Sequence, residues 1–226
     1  MPGLTDCEMR LRNSLDELNQ SPLVHVYDSE PGRVREEIGD AQAMLANARA
    51  WYGVDLDETL GRCFIRFNKF ACYWRIEDPN IELSGEFRIR HFLSTMENEP
   101  PEADRESEAE QLLYSQYRVL DDAPWGGAGD FVALRIQPDV ASPELWYHDF
   151  QQNDLLLDLD YCAYLDALAI TKGVLGWQYL FADVSLQDEE LGTFKQDLTD
   201  AMTVLPDLFP EHDYGPLKER LRERIR

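Results

Sequence analysis

The sequence predicts an α+β fold: a central antiparallel sheet of about five to six strands flanked by helices. Three observations carry that reading. Apolar residues recur at helical spacing near both ends of the chain. Between roughly residues 71 and 150 the period drops to two, in short runs rich in aromatic and β-branched residues. The links between the later runs, "PWGGAGD" and "QPDVASP", have hairpin length. Helices and strands are grouped rather than interleaved, which favours α+β over a doubly wound sheet.

Residues 5 to 20 read as an amphipathic helix. Thr5 and Glu8 have capping-box spacing, and Leu11, Leu15 and Leu18 share a face. "SPLVHVYDSEPG" is a short extended piece with turn residues at both ends. Residues 31 to 52 predict a second helix, opened by Pro31 and closed by Gly53, with Gly39 inside it. A third helix follows Asp57, with Leu60, Phe64 and Phe67 on one side and Cys63 beside them.

"ACYWRIED" and "GEFRIRHF" predict two strands, and "QYRVLDD", "DFVALRI" and "ELWYHDF" three more. Between the two groups, residues 97 to 111 form an acidic stretch with two prolines, read as an exposed insertion. Residues 157 to 173 give the strongest helix. Tyr161, Leu165 and Leu168 face inward, Asp158 caps it, and Asp160, Asp166 and Lys172 face water. "VLGWQYLFADV" is apolar enough to complete the core. A further helix spans residues 186 to 205 and stops at Pro206 and Pro210. The tail "PLKERLRERIR" is a basic helical end suited to acidic faces of its own chain.

Hydrophobic residues make up 44% of the 226, enough for a packed core rather than a disordered chain. No run of about 18 apolar residues predicts a membrane span, and the N-terminus lacks a basic-then-apolar signal pattern. The expectation is a cytoplasmic protein. The four cysteines, Cys7, Cys63, Cys72 and Cys162, form no C-x-x-C pair and read as free buried thiols. The formal charge of −23 repels nucleic acid and either serves solubility alone or favours a basic protein partner.

Catalytic patterns are sparse. His148-Asp149 begins like the metal site of a phosphohydrolase, but the chain has four histidines and no H-x-x-x-H or H-E-x-x-H. The alternation places His148 as a half-buried strand residue and Asp149 at the start of a turn. "WGGAGD" lacks the Gly-Lys-Ser/Thr ending of a phosphate loop and reads as a hairpin tip that presents Trp125 and Asp130. There is no G-x-S-x-G. Cys63 and Cys162 fall on core faces of helices, and carboxylates are too abundant to single out an acid/base pair. No metal and no cofactor are expected.

One resemblance runs through these blocks. "AQAMLANARAWYGVDLDETLGRCFIRFNKFACYWRI" is similar to the opening of the SUKH superfamily, which holds bacterial immunity proteins and fungal cell-wall-synthesis regulators. "GVDL" stands at its G-x-x-L step, "CFIRFN" at its aromatic-Asn helix, Trp74 on its Trp strand and "GEFRI" on the next. "GAGDFVALRIQPDVASPELWYHDF" resembles its paired strands after a Gly-Asp step. "LDLDYCAYLDALAITKGVLGWQYLF" resembles its closing helix and G-x-x-W extension. The likeness covers roughly residues 40 to 182 and rests on many positions, not one sharp motif.

The resemblance implies a SUKH-like domain over residues 40–185, with helical extensions at 1–39 and 186–226. It implies a non-catalytic protein-binding domain, an immunity protein that neutralises a secreted toxin by binding it, with a basic nuclease as a fitting partner. A regulatory scaffold of the same fold and a small-molecule enzyme are the alternatives. The residues expected to meet the partner are the acidic and aromatic ones near the loop tips: Asp121, Asp122, Trp125 and Asp130.

Overall fold

A computed structural model describes residues 3–102, 107–126, 129–149, 151 and 153–226. The chain opens with α1 (Asp6–Gln20). The Thr5 side chain accepts from the Glu8 N–H, and Glu8 accepts from the Thr5 N–H. Glu8 does more than cap. Fully buried, it forms a two-pronged ion pair with Arg66, at 2.6 and 2.9 Å, so the first helix is locked to the loop before the sheet.

Seven strands form one antiparallel sheet in sequence order: β1 (Val24–Pro31), β2 (Phe70–Ile76), β3 (Ser84–Ile89), β4 (Tyr117–Asp122), β5 (Phe131–Arg135), β6 (Glu144–His148) and β7 (Asp154–Leu156). The expected α+β class and antiparallel pairing hold, and the count of five to six is low. The extra strands are the edges. The short piece after α1 pairs along the whole of β2, and three residues after Asn153 pair with β6.

The region predicted as a helix over 31–52 is divided. Gly39 takes φ +82°, so a short 3₁₀ turn (Glu36–Ile38) ends there and α2 (Ala41–Tyr52) starts afresh from an Asp40 cap. The expected helix after Asp57 is a 3₁₀ stretch, Glu58–Cys63. The acidic stretch runs from the end of α3 (Phe92–Glu97) into the first turn of α4 (Glu108–Ser115), and its residues 103–106 fall outside the described ones.

α5 (Tyr161–Thr171) is capped by Asp160 rather than Asp158. α6 (Gly192–Leu208) passes through Pro206 instead of stopping there. The proline sits in the last turn, where the helix has few further bonds to lose. α7 (Gly215–Arg224) lies against the chain: Arg220 pairs with Asp158 and stacks over the Phe181 ring, and Arg224 reaches Asp183.

α1 and α5 cover one face of the sheet, burying Trp74, Phe70, Cys72 and Phe87 with Leu11, Leu15, Tyr164 and Leu168. The other, outer face carries a separate small cluster where Tyr114 of α4 packs on Tyr117 and Ala133.

Two expectations for the inner face are overturned. Lys172 does not face water; it is fully buried. It ends α5 in the left-handed conformation, φ +57°, which carries its side chain back under the fold. Its ammonium donates to Glu17 at 2.5 Å and to the Ala169 carbonyl at 2.8 Å, lies 3.0 Å from His212 Nε2 and sits over the Phe209 ring. The cysteines are not four free thiols. Cys63 and Cys162 form a disulfide with Cα atoms 5.3 Å apart, joining the 3₁₀ stretch to α5, while Cys7 and Cys72 are free and buried. The two partners lie 99 residues apart in sequence, so local spacing gave no sign of the pair.

Candidate functional site

The sheet splits between β3 and β4, and the candidate site lies in the split. Their recorded pairing is Ile89 opposite Asp121. Beyond it the segment after α5 inserts beside β3: the Glu86 N–H donates to the Gly173 carbonyl and the Leu175 N–H to the Ser84 carbonyl. Gly173 permits this approach. It has φ +69°, and a Cβ there would meet the Glu86 carbonyl oxygen at 2.8 Å. The gap is a cleft of about 30 Å³, lined by Glu86, Asp121, Asp122, Asp130, Tyr147 and the Gly173–Gly176 segment, among others.

Three of the residues expected to meet a partner, Asp121, Asp122 and Asp130, line this cleft, and Trp125 stands on the loop that Glu86 holds beside it. Asp121 is the correction. It is 4% exposed and unavailable as a tip residue. Its Oδ1 accepts the Arg88 backbone N–H at 2.7 Å, replacing a ladder bond lost in the split, and its Oδ2 accepts the Tyr164 hydroxyl at 2.6 Å. The cause is a bulge between Val119 and Asp121, which leaves Leu120 and Asp121 both buried. Burial pushes the Asp121 carboxyl up to about 7, against the pull of the Tyr164 bond.

Asp122 turns the other way and forms a two-pronged pair with Arg88. Trp125 is half-buried on the loop after β4, and Glu86 fixes that loop. Its carboxylate accepts the N–H groups of Trp125 and Gly126 at 2.5 and 2.6 Å. Burial raises the Glu86 pKa, and these two bonds oppose the rise. Residues 127 and 128 of the glycine loop lie outside the described ones. Asp130 accepts the Tyr147 hydroxyl on Oδ2 at 3.1 Å, while its Oδ1 is shielded from solvent without a hydrogen-bond partner among the described residues. Burial raises its pKa too. Sequence reasoning missed Glu86, since one acid inside a strand gives no signal of the loop that folds over it.

His148 and Asp149 go to separate tasks. His148 Nδ1 lies 2.9 Å from the Tyr114 hydroxyl and 3.1 Å from Asp154, beneath α4. Asp149 is buried and accepts from the backbone of Gln151 and Asn153 and from the Tyr179 hydroxyl, holding the turn into β7. Among the described residues no group of three or more His, Cys, Asp or Glu side chains is arranged to hold a metal ion. No described helix is long and apolar enough to cross a membrane.

The chain matches no family model, no curated protein and no solved structure.

Proposed function

We propose that this chain is a non-catalytic protein-binding domain of the SUKH type that neutralises a basic protein, a secreted nuclease toxin in the fullest form of the reading, by binding it. One observation carries it. The acid-lined cleft, on a chain of net charge −23, sits beside an aromatic residue whose loop is pinned from below by Glu86. An aromatic anchor set among charged groups is the make-up of a tight protein interface. A pre-fixed loop lowers the ordering cost of binding, and the long-range field speeds the encounter.

In this mechanism Asp121 and Glu86 position, Trp125 presents, and Asp122 and Asp130 add negative charge around it. This reading sets the protein in the cytoplasm. The Cys63–Cys162 bond stands against that setting, because cytosolic thiols are kept reduced.

The test is a pull-down with tagged protein from its native host, at low and then moderate salt. The reading expects one basic protein, released as salt rises. Several unrelated housekeeping proteins would move the assignment to a regulatory scaffold. A second reading, a small-molecule enzyme, draws on Asp121: a carboxyl poised near neutrality in a cleft is how a general acid is prepared. Against it, both Asp121 oxygens are already engaged within the fold.

A further inference from the structure

The outer face of the sheet is finished differently on its two halves. Over β4–β6, α4 covers the surface, and a guanidinium completes it: Arg135 lies over the Trp146 ring at 6.0 Å and pairs with Glu144 at 3.0 Å. Over β1–β3 the same ingredients stand open. Tyr27 sits at the β1 bulge and is 53% exposed. Its ring is 5.4 Å from Tyr73 on β2, and Tyr73 is 6.3 Å from Trp125, with planes only 13° apart. The result is a strip of rings crossing two strands and ending at the cleft.

Carboxylates border the strip at both ends. At the Trp125 end Asp122 and Asp130 line the cleft, Asp122 paired with Arg88 and Asp130 bonded to the Tyr147 hydroxyl. Beyond Tyr27 a groove of about 510 Å³ is lined by Asp78, Glu82 and Asp197, with Arg75 on its wall. Burial raises the Asp197 pKa, with Asp200 and Glu82 adding to the rise. Arg88 is committed to Asp122.

We propose that this face docks an arginine-rich segment of the basic partner, its guanidinium groups stacking on Tyr27, Tyr73 and Trp125 and forking to the carboxylates of the groove beyond Tyr27. The inference rests on the protein-binding reading above and names the partner's chemistry. Charge complementarity selects a cation. The rings select arginine over lysine, because the planar guanidinium is less strongly hydrated, stacks on aromatic faces and bonds carboxylates in two prongs. The chain uses the same device internally at Arg135 and again where Arg220 lies 4.5 Å over Phe181 and pairs with Asp158.

The probe is a labelled nine-residue arginine peptide, with a nine-residue lysine peptide of equal charge as control, each titrated into the full chain by fluorescence anisotropy at moderate salt. The arginine peptide should bind about tenfold more tightly, the margin expected of partly desolvated stacking. In a Tyr27→Ala/Trp125→Ala double variant that ratio should fall to near one while lysine-peptide binding is retained. Tyr27→Phe should keep the preference, which separates a ring contact from a folding defect. Equal affinity of the two peptides for the native chain, or a preference that survives the double variant, overturns the proposal. If a basic protein is still captured after either of those results, protein binding stands and only this docking face falls.

Discussion

The Glu86 carboxylate, on β3, accepts the backbone N–H groups of Trp125 and Gly126 at 2.5 and 2.6 Å, one oxygen to each. One 5%-exposed side chain therefore sets where the Trp125 loop rests. Glu86→Gln keeps the size but turns an amide donor toward one of those N–H groups. The expected cost is about 1–3 kcal/mol, the range for leaving a buried polar group unmatched. Amide exchange at Trp125 and Gly126 should accelerate in the variant while that of β5 and β6 does not. Unchanged exchange at both amides would remove Glu86 from its role as the loop's anchor.

Asp121 should make stability depend on pH in a direction opposite to most acids. Its carboxyl is pushed up to about 7 in the fold by burial, against about 3.9 in an unfolded chain. The folded state thus holds an extra proton between about pH 4 and 7, and this contribution falls as pH rises through that window. At ~1.4 kcal/mol per tenfold change in the proton equilibrium, the full effect is at most about 4 kcal/mol. Glu86 and Asp130 are raised as well, so the test is a difference. Asp121→Asn, which mimics the protonated form, should gain stability relative to the native chain between pH 5 and 8 in urea melts. A constant difference across that range would contradict the assignment.

The Cys63–Cys162 bond closes a long loop, its partners 99 residues apart. The chain-entropy account assigns such a cross-link about 4–5 kcal/mol. Thiol counting in denaturant should find two reactive cysteines in the oxidised protein, Cys7 and Cys72, and four after reduction. Reduction should lower the urea midpoint, and a Cys63→Ala/Cys162→Ala variant should show no response to reductant. Four thiols in protein isolated under thiol-trapping conditions would show the pair to be open where the protein works.

Lys172 is a buried cation whose direct carboxylate partner is Glu17. Burial lowers its pKa, and the bond to Glu17 opposes that. Lys172→Met preserves the stem but leaves Glu17 without its ammonium, with an expected loss of roughly 3 kcal/mol from breaking a buried pair. Because His212 shares the same Glu17 oxygen at 2.8 Å, the loss should loosen residues 209–214 first. Limited proteolysis of that segment reads it. Native-like resistance would make the clamp incidental.

Much of the frame was legible in the sequence because its signals are local. The Thr5–Glu8 box placed α1, and the runs "DFVALRI" and "ELWYHDF" placed β5 and β6. What failed was set by contacts distant in sequence or by a break in a period. Strict alternation sends Asp121 to the opposite face from Leu120; one bulge buries both. A lysine at a helix end reads as solvent-exposed unless the partner 155 residues away is known. Gly39 carried the warning that 31–52 was not one helix, and its positive φ is the reason. The candidate residues were expected at loop tips, and Asp121 is instead buried in the sheet. The split sheet that gathers them depends on residues 173–175, which nothing in β3 or β4 announces.

The most direct test of the account asks whether binding belongs to the split-sheet face or to the charge of the whole chain. The affinity of the captured basic protein would be measured for two variants of equal charge, Asp122→Asn/Asp130→Asn at the cleft and Asp6→Asn/Asp16→Asn on exposed positions of α1. The account predicts a loss of about tenfold or more for the cleft pair, whose charges surround the Trp125 loop. The α1 pair should change little beyond a salt-screened slowing of association. Equal losses for the two variants would contradict the account, and would reduce the acidity of this protein to a diffuse field without a site.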